Sequence, residues 1–458
     1  MVIKNRVQLV GNGSDDLSRR LRSDACDIFE AALKAVNPEQ AIHNALRLDR
    51  DVLYFEGGSI DTSKVERILV IGGGKAGGLM ARAIESLLGG RIGSGAVNVL
   101  EGTEDAVSLV HIYLNGVSHP VPSRSGVEGV KQMLELTEGL TADDLIIILI
   151  SGGGSALMPL PAEGLDLDDL QDVTGKLLRA GASINELNAV RKHLSAFKGG
   201  QLARHCSPAR VLSLILSDVI GDPLDTIASG PTSPDDSTYS DALGVLEKYG
   251  LFVDLSEQVK QRVMAGVKGE LPDTPKIGDP VFDRVNNILV ANNPIAAEAA
   301  KEKAEDLGYN SIVFSTSIEG EARQVGVDFS DMAKEVVNID HPVRKPAAII
   351  LGGETTVTVK GTGIGGRNQE LALGAALSLR CDSCLIATLG TDGIDGPTEA
   401  AGAFVDGITV RRAEGKGLDP ARYLEENDSY TFFSEMGEAI ITGPTGTNVN
   451  DLALILVI

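Results

Sequence analysis

The chain has 458 residues, 43% of them hydrophobic and 23% charged, with 53 glycines and no tryptophan. That length favours two or three domains of ordinary globular composition, and so much glycine without a repeat period points to tight strand–helix turns, not to collagen or disorder. The formal net charge is −23 and no Lys/Arg block stands out, which argues against a nucleic-acid partner and leaves any anionic substrate dependent on locally placed cations.

The N-terminus, MVIKNRVQLVGNGSDD, lacks a basic-then-apolar leader. No run approaches about 18 apolar residues, so a soluble, cytoplasmic protein with no membrane partner is expected, as a monomer or homodimer. Residues 15–35 read as an amphipathic helix, with Leu17, Leu21, Ala25, Ile28, Phe29, Ala32 and Leu33 on its apolar face, and 38–46 as a second, short helix. Residues 68–71 form an apolar strand that turns through Gly72, Gly73 and Gly74 past Lys75 into a helix ending near Gly89. A strand follows at 95–100, then the loop Ser118-His119-Pro120-Val121-Pro122 and a helix at 125–137. The strand 145–150 runs into Ser151-Gly152-Gly153-Gly154-Ser155. Helices at 167–180 and 183–194 lead to the strand 211–216 and the loop Ser217-Asp218-Val219-Ile220-Gly221-Asp222-Pro223.

The segment 271–280, LPDTPKIGDP, has no periodicity and is the expected connection between domains. A second α/β pattern follows: strands at 288–291, 311–315 and 347–351, a β-rich stretch at 355–360, a glycine loop at 361–366, a helix at 367–379, and strands at 385–389 and 453–457. Alternating strands and helices predict an α/β protein of two domains. The first, 1–280, is a Rossmann-like, doubly wound and mostly parallel sheet; the second, 281–458, is a smaller mixed α/β domain.

Gly72-x-Gly74-x-x-Gly77 directly after a strand fits the dinucleotide fingerprint, and Glu101 lies near where a ribose-binding acid would sit. Lys75 inside the turn argues instead for a simple anion site, with Gly73 and Gly74 letting a phosphate approach free N–H groups at the helix start. The spacing is not that of a Walker A loop. Ser151, Gly153, Gly154 and Ser155 are a second candidate phosphate cradle. Asn185, Asn188 and Lys192 share a helix face, either a binding face or a solvated one, and His193 reads as a surface or packing residue and not as a general base. Asp218 and Asp222 lie just past a strand end; as oxygen donors they suit Mg²⁺, and Asp218 could instead take a proton from a hydroxyl. In the second half, Glu354 follows Gly352-Gly353. Arg367 and Asn368 open a helix after a glycine loop, where a guanidinium could bind phosphate or carboxylate in bidentate fashion. Asp392 and Asp395 either bind metal or form turns. Cys381-Asp-Ser-Cys384 precedes a strand, unlike a thioredoxin-type pair, so redox or metal function is not expected.

Eight motifs in order resemble the type-2 glycerate kinase family, whose C-terminal part is the MOFRL domain: GGGKAGG (72–78), SGGGSAL (151–157), NAVRKHLSAFKGGQLA (188–203), LSDVIGDP (216–223), SGPT (229–232), GGETTV (352–357), GGRNQE (365–370) and TDGIDGPT (391–398). The resemblance spans nearly the whole chain without departure in these stretches. It implies ATP- and Mg²⁺-dependent phosphorylation of D-glycerate, usually at O2, in a cleft between two α/β domains. It places family roles on Lys75, Asp218 and Arg367. A nicotinamide-dependent hydroxy-acid reductase is the alternative, because family members have also carried the label hydroxypyruvate reductase.

Overall fold

A computed structural model describes residues 2–458. The chain divides into two compact units: Pro38–Val290, and the residues up to Asn37 together with Ala291–Ile458. The expected boundary at 280/281 therefore moves to 290/291, and the N-terminal helix leaves the first domain. The segment 271–280 is no linker. Asp273 meets the His193 ring at 2.8 Å, and Thr274 donates to Asp235 at 2.9 Å, both within the first unit.

The helix Asp16–Ala35 forms where expected, started by Asp15, whose carboxylate accepts from the Ser18 N–H. What it packs on could not be read locally. Arg22, fully buried, donates to Asp406 and Glu438, each at 2.5 Å, and Tyr309 donates to Asp24 at 2.7 Å. These partners all belong to the second unit, and a buried arginine needs both carboxylates to offset its desolvation.

The first unit is built on a six-stranded sheet in the order Ile112–Val117, Ile92–Leu100, Ile68–Gly73, Leu145–Ile150, Arg210–Leu216, Val285–Ala291. The first five strands are parallel, and three of the inner ones, Ile68–Gly73, Leu145–Ile150 and Arg210–Leu216, are near-continuous apolar runs buried on both faces. The order winds outward from Ile68–Gly73 in both directions. The switch point thus lies between that strand and Leu145–Ile150, and both end in glycine loops there. This is the position at which open α/β sheets bind ligands. The strand Ile112–Val117 and a small antiparallel sheet over 47–61 carry too little periodicity to be expected from sequence.

The second unit has a mixed six-stranded sheet in the order Asn310–Ile318, Ala347–Gly353, Asp451–Val457, Cys384–Gly390, Gly402–Asp406, Ala439–Ile440. Only the first pair is parallel. The stretch 355–360 forms no strand, only a bridge from Thr356 to Glu321. Among the described residues no helix is long and apolar enough to cross a membrane.

Candidate active site

The first glycine loop does not leave its N–H groups open. Gly74 donates to the Asn98 carbonyl at 3.1 Å, Lys75 to the Gly152 carbonyl at 2.9 Å, and Ala76 to Ser151 Oγ at 3.1 Å. The expectation that Gly73 and Gly74 cradle a phosphate is corrected accordingly. Glycine is needed at 74 because a Cβ there would lie 2.1 Å from Ser151 Oγ, and at φ +148° no other residue is comfortable. The glycines let one loop pack on the next. The helix start is satisfied by protein groups, and Ser151 acts as its anchor.

What the packed loops do present is a small cavity of about 280 Å³, lined by Ser151–Ala156, His119, Asp218, Arg191 and Ala228 among others. Asp218 lies over Gly152: a Cβ there would come within 2.3 Å of Asp218 Oδ2. Lys75 and His119 lie over Gly153, where a Cβ would be 3.3 Å from Lys75 Cε and 3.2 Å from His119 Nε2. Burial and then the Lys75 charge hold the His119 imidazole below its ordinary range, so it is neutral at pH 7. Lys75 itself is exposed. An ammonium, a carboxylate and a neutral imidazole thus converge on two glycines at the switch point.

Ser155 extends this cluster. Its Oγ lies 2.8 Å from Ser229 Oγ, and Ser229 in turn donates to Asn188 Oδ1 at 3.0 Å. Ala228 and Ser229 have φ of +50° and +61°, left-handed values that cost energy for residues with a Cβ. Two basic residues absent from the sequence-based candidates meet Ser155: Arg191 Nη2 at 2.6 Å from its Oγ, and Lys198 Nζ at 2.6 Å from its carbonyl. A signal for Arg191 was present, since it is i+3 from Asn188 just as Lys192 is i+4, and both spacings share a face. Lys192 turns elsewhere. It is buried and ion-paired with Asp235 and Asp225, each at 3.1 Å, so the structure does not bring it to the cavity. His193 packs, as expected, edge-on to Tyr239.

Asp222 sits in the loop beyond Asp218 in a left-handed turn, φ +54°. Among the described residues no three His, Cys, Asp or Glu side chains are gathered for a metal. Asp218 and Asp222 are hard oxygen donors, and a Mg²⁺ that keeps waters in its shell asks a protein for only one or two carboxylates.

In the second unit, Arg367 is clamped. Its Nε and Nη2 reach Asp451 Oδ2 and Oδ1 at 2.6 and 3.1 Å, and its Nη1 reaches Glu354 Oε1 at 2.5 Å. These carboxylates hold the guanidinium above its already high range against the opposing effect of burial. Asp451 was not a sequence candidate. Burial pushes its carboxyl up to about 6 in spite of Arg367, with Asp395 adding to the rise. Here desolvation outweighs pairing. The helix start after Arg367 is filled too: the N–H groups of Asn368 and Gln369 donate to Asp395 at 3.0 and 2.9 Å. Asn368 also turns its side chain to Asp395, at 3.4 Å, so its expected phosphate contact is corrected to an internal one. Asp395 is thus a buried cap, and Asp392 accepts from Ile394 N–H in a turn. A cavity of about 820 Å³ lies alongside, lined by Glu354, Arg367, Asp395 and the surrounding loops. Cys381 and Cys384 form a disulfide.

Residues 24–264 match the model of a family described as a domain of unknown function, DUF4147, and residues 347–451 match the MOFRL family. A protein named D-glycerate 2-kinase from Thermotoga maritima is 43% identical over 96% of this chain and 99% of its own length. A putative hydroxypyruvate reductase from Agrobacterium vitis is 39% identical over 94% of this chain and 93% of its own. The crystal structure of a glycerate kinase from Thermotoga maritima superposes with a TM-score of 0.87 at 42% identity, covering 96% of this chain and 100% of that one. With the two family models in order and relatives of this identity spanning nearly its full length, the chain belongs to the glycerate 2-kinase family with a C-terminal MOFRL domain.

Proposed function

We propose that this chain is an ATP- and Mg²⁺-dependent kinase that phosphorylates D-glycerate at O2 to give 2-phospho-D-glycerate. One observation carries the reading: Asp218 lies over Gly152 and Lys75 over the adjacent Gly153, beside the small cavity at the sheet's switch point that Asp218 lines. A carboxylate there can accept the proton of an acceptor hydroxyl while an ammonium meets the incoming phosphoryl charge. Phosphoryl transfer asks a protein mainly for positioning and charge stabilisation, and these groups supply both. Arg367 is the second unit's cation for the phosphates, fixed in direction by Asp451 and Glu354. Asp218 with Asp222 would hold Mg²⁺, which when bound supplies neutralisation of phosphate charge.

A second reading, nicotinamide-linked reduction of hydroxypyruvate, has the name of the Agrobacterium vitis relative behind it. It would place a pyrophosphate on the loop 72–77, where Gly74, Lys75 and Ala76 already donate to protein acceptors. That weighs against it. A coupled assay separates the two: ADP release dependent on D-glycerate supports the kinase, and NAD(P)H oxidation by hydroxypyruvate without ADP release overturns it.

A further inference from the structure

Arg191 is held in an unusual way for a cation in a protein of this acidity. Its Nη2 donates to Ser155 Oγ at 2.6 Å, and no carboxylate among the described residues lies within ion-pairing distance of it. Lys198, almost fully buried, donates to the carbonyls of Ser155 and Met158 and likewise has no carboxylate partner. The serine relay explains how the guanidinium is fixed without being neutralised. Ser229 gives its proton to Asn188, so Ser155 gives its own to Ser229 and accepts from Arg191. The Asn188 amide nitrogen at the end of the relay is buried and unpartnered. Burial pushes the Arg191 guanidinium down to about 10, which still leaves it charged at neutral pH.

A guanidinium with no counter-charge is costly unless an anion completes it, while burial and then the Arg191 charge push the neighbouring Lys198 amine well below the ordinary lysine range. No protein group engages Arg191 Nε or Nη1 among the described residues, so two nitrogens of its planar fork remain for a ligand. Arg191 lines the same cavity as Asp218, and about 280 Å³ suits a three-carbon acid better than a nucleotide. We propose that Arg191, oriented by Ser155, binds the carboxylate of the acceptor hydroxy acid and so sets the enzyme's demand for an acid over a neutral polyol. This rests on the kinase reading above.

The test is calorimetric titration of the unaltered chain, Arg191→Gln and Arg191→Lys with D-glycerate alone and with ATP·Mg²⁺ alone. Removing one partner of a desolvated charge pair predicts that Arg191→Gln weakens D-glycerate binding by on the order of 10²-fold, Arg191→Lys by less, with ATP affinity within about twofold. Unchanged D-glycerate affinity, or a loss that falls on ATP, overturns the inference. A lack of D-glycerate binding by the unaltered chain overturns the functional reading itself. If both variants fail to fold, arginine-selective modification of the unaltered chain by phenylglyoxal decides. Protection of Arg191 by D-glycerate but not by ATP is expected, and equal labelling with and without D-glycerate overturns the proposal.

Discussion

Arg191 and Arg367 both stand beside a glycine-rich loop at a sheet end, and the fold treats them in opposite ways. Arg367 is gripped by two carboxylates, Asp451 and Glu354, which fix its direction and cancel its charge. Arg191 is held by a hydroxyl and keeps its charge uncompensated, with the Lys75 ammonium over the same loop. The first unit thus offers net positive charge in a chain of net charge −23, while the second offers an oriented but neutralised guanidinium. The first arrangement attracts and holds a small anion in the ground state. The second suits a group needed in one orientation as charge develops, when preorganisation matters more than attraction.

The largest effect should come from the first unit. Asp218→Asn keeps the shape over Gly152 and loses the charge and basicity, so turnover should fall by about 10³-fold or more with nucleotide binding kept. Activity restored by high Mg²⁺ would make Asp218 a metal ligand in place of a base. Lys75→Ala should cost about 10²-fold in kcat/KM, roughly 3 kcal/mol, with the melting temperature unchanged because the loop is tied by backbone groups. A loss of only a few-fold would mean that this unit's cations are surface charges and that the contrast is empty.

The second unit's arginine sharpens the contrast. Arg367→Lys keeps the charge but cannot span Asp451 and Glu354, and kcat should fall by about 10²-fold with D-glycerate affinity little changed. Loss of D-glycerate affinity at constant kcat would give Arg367 the ground-state role assigned here to Arg191. The smallest effect is expected at Asp451→Asn, about tenfold in kcat, because Glu354 still holds one nitrogen.

That last variant also carries a pH signature. Asp451 sits at about 6, so as pH falls through that value it takes up a proton, its grip on Arg367 weakens and kcat falls. Arg367, Asn368 and Asp395 are the groups that face it. Its effect on stability has the opposite sign. The folded carboxyl lies above its unfolded value of about 3.9, so the folded state binds the proton more tightly. The stability it contributes is present at low pH and lost as pH rises through about 6. Asp451→Asn should remove the acid limb of the kcat profile, and a profile left unchanged would assign that limb elsewhere.

Much of this was legible in the sequence, but unevenly. The strand–loop–helix units at 68–88 and 145–157 are strong local patterns, and they do meet at the switch point. The use of their glycines was misread, because the requirement at Gly74 comes from Ser151, a residue far along the chain. Asp395 had the appearance of a metal candidate because nothing local says that it will cap a helix opening at Arg367. The apolar face of residues 15–35 announced a helix but not its partner, since Asp406 and Glu438 lie hundreds of residues away. Arg191 was passed over for the same reason: Ser155 and the missing carboxylate become visible only in three dimensions.

The central claim, transfer of a phosphoryl group to O2 of D-glycerate, is tested most directly by proton-coupled phosphorus NMR of the product formed from ATP, Mg²⁺ and D-glycerate. A phosphomonoester signal split into a doublet by the single proton at C2 is the expected result. A triplet from the two protons at C3, or inorganic phosphate as the sole product, would contradict the account.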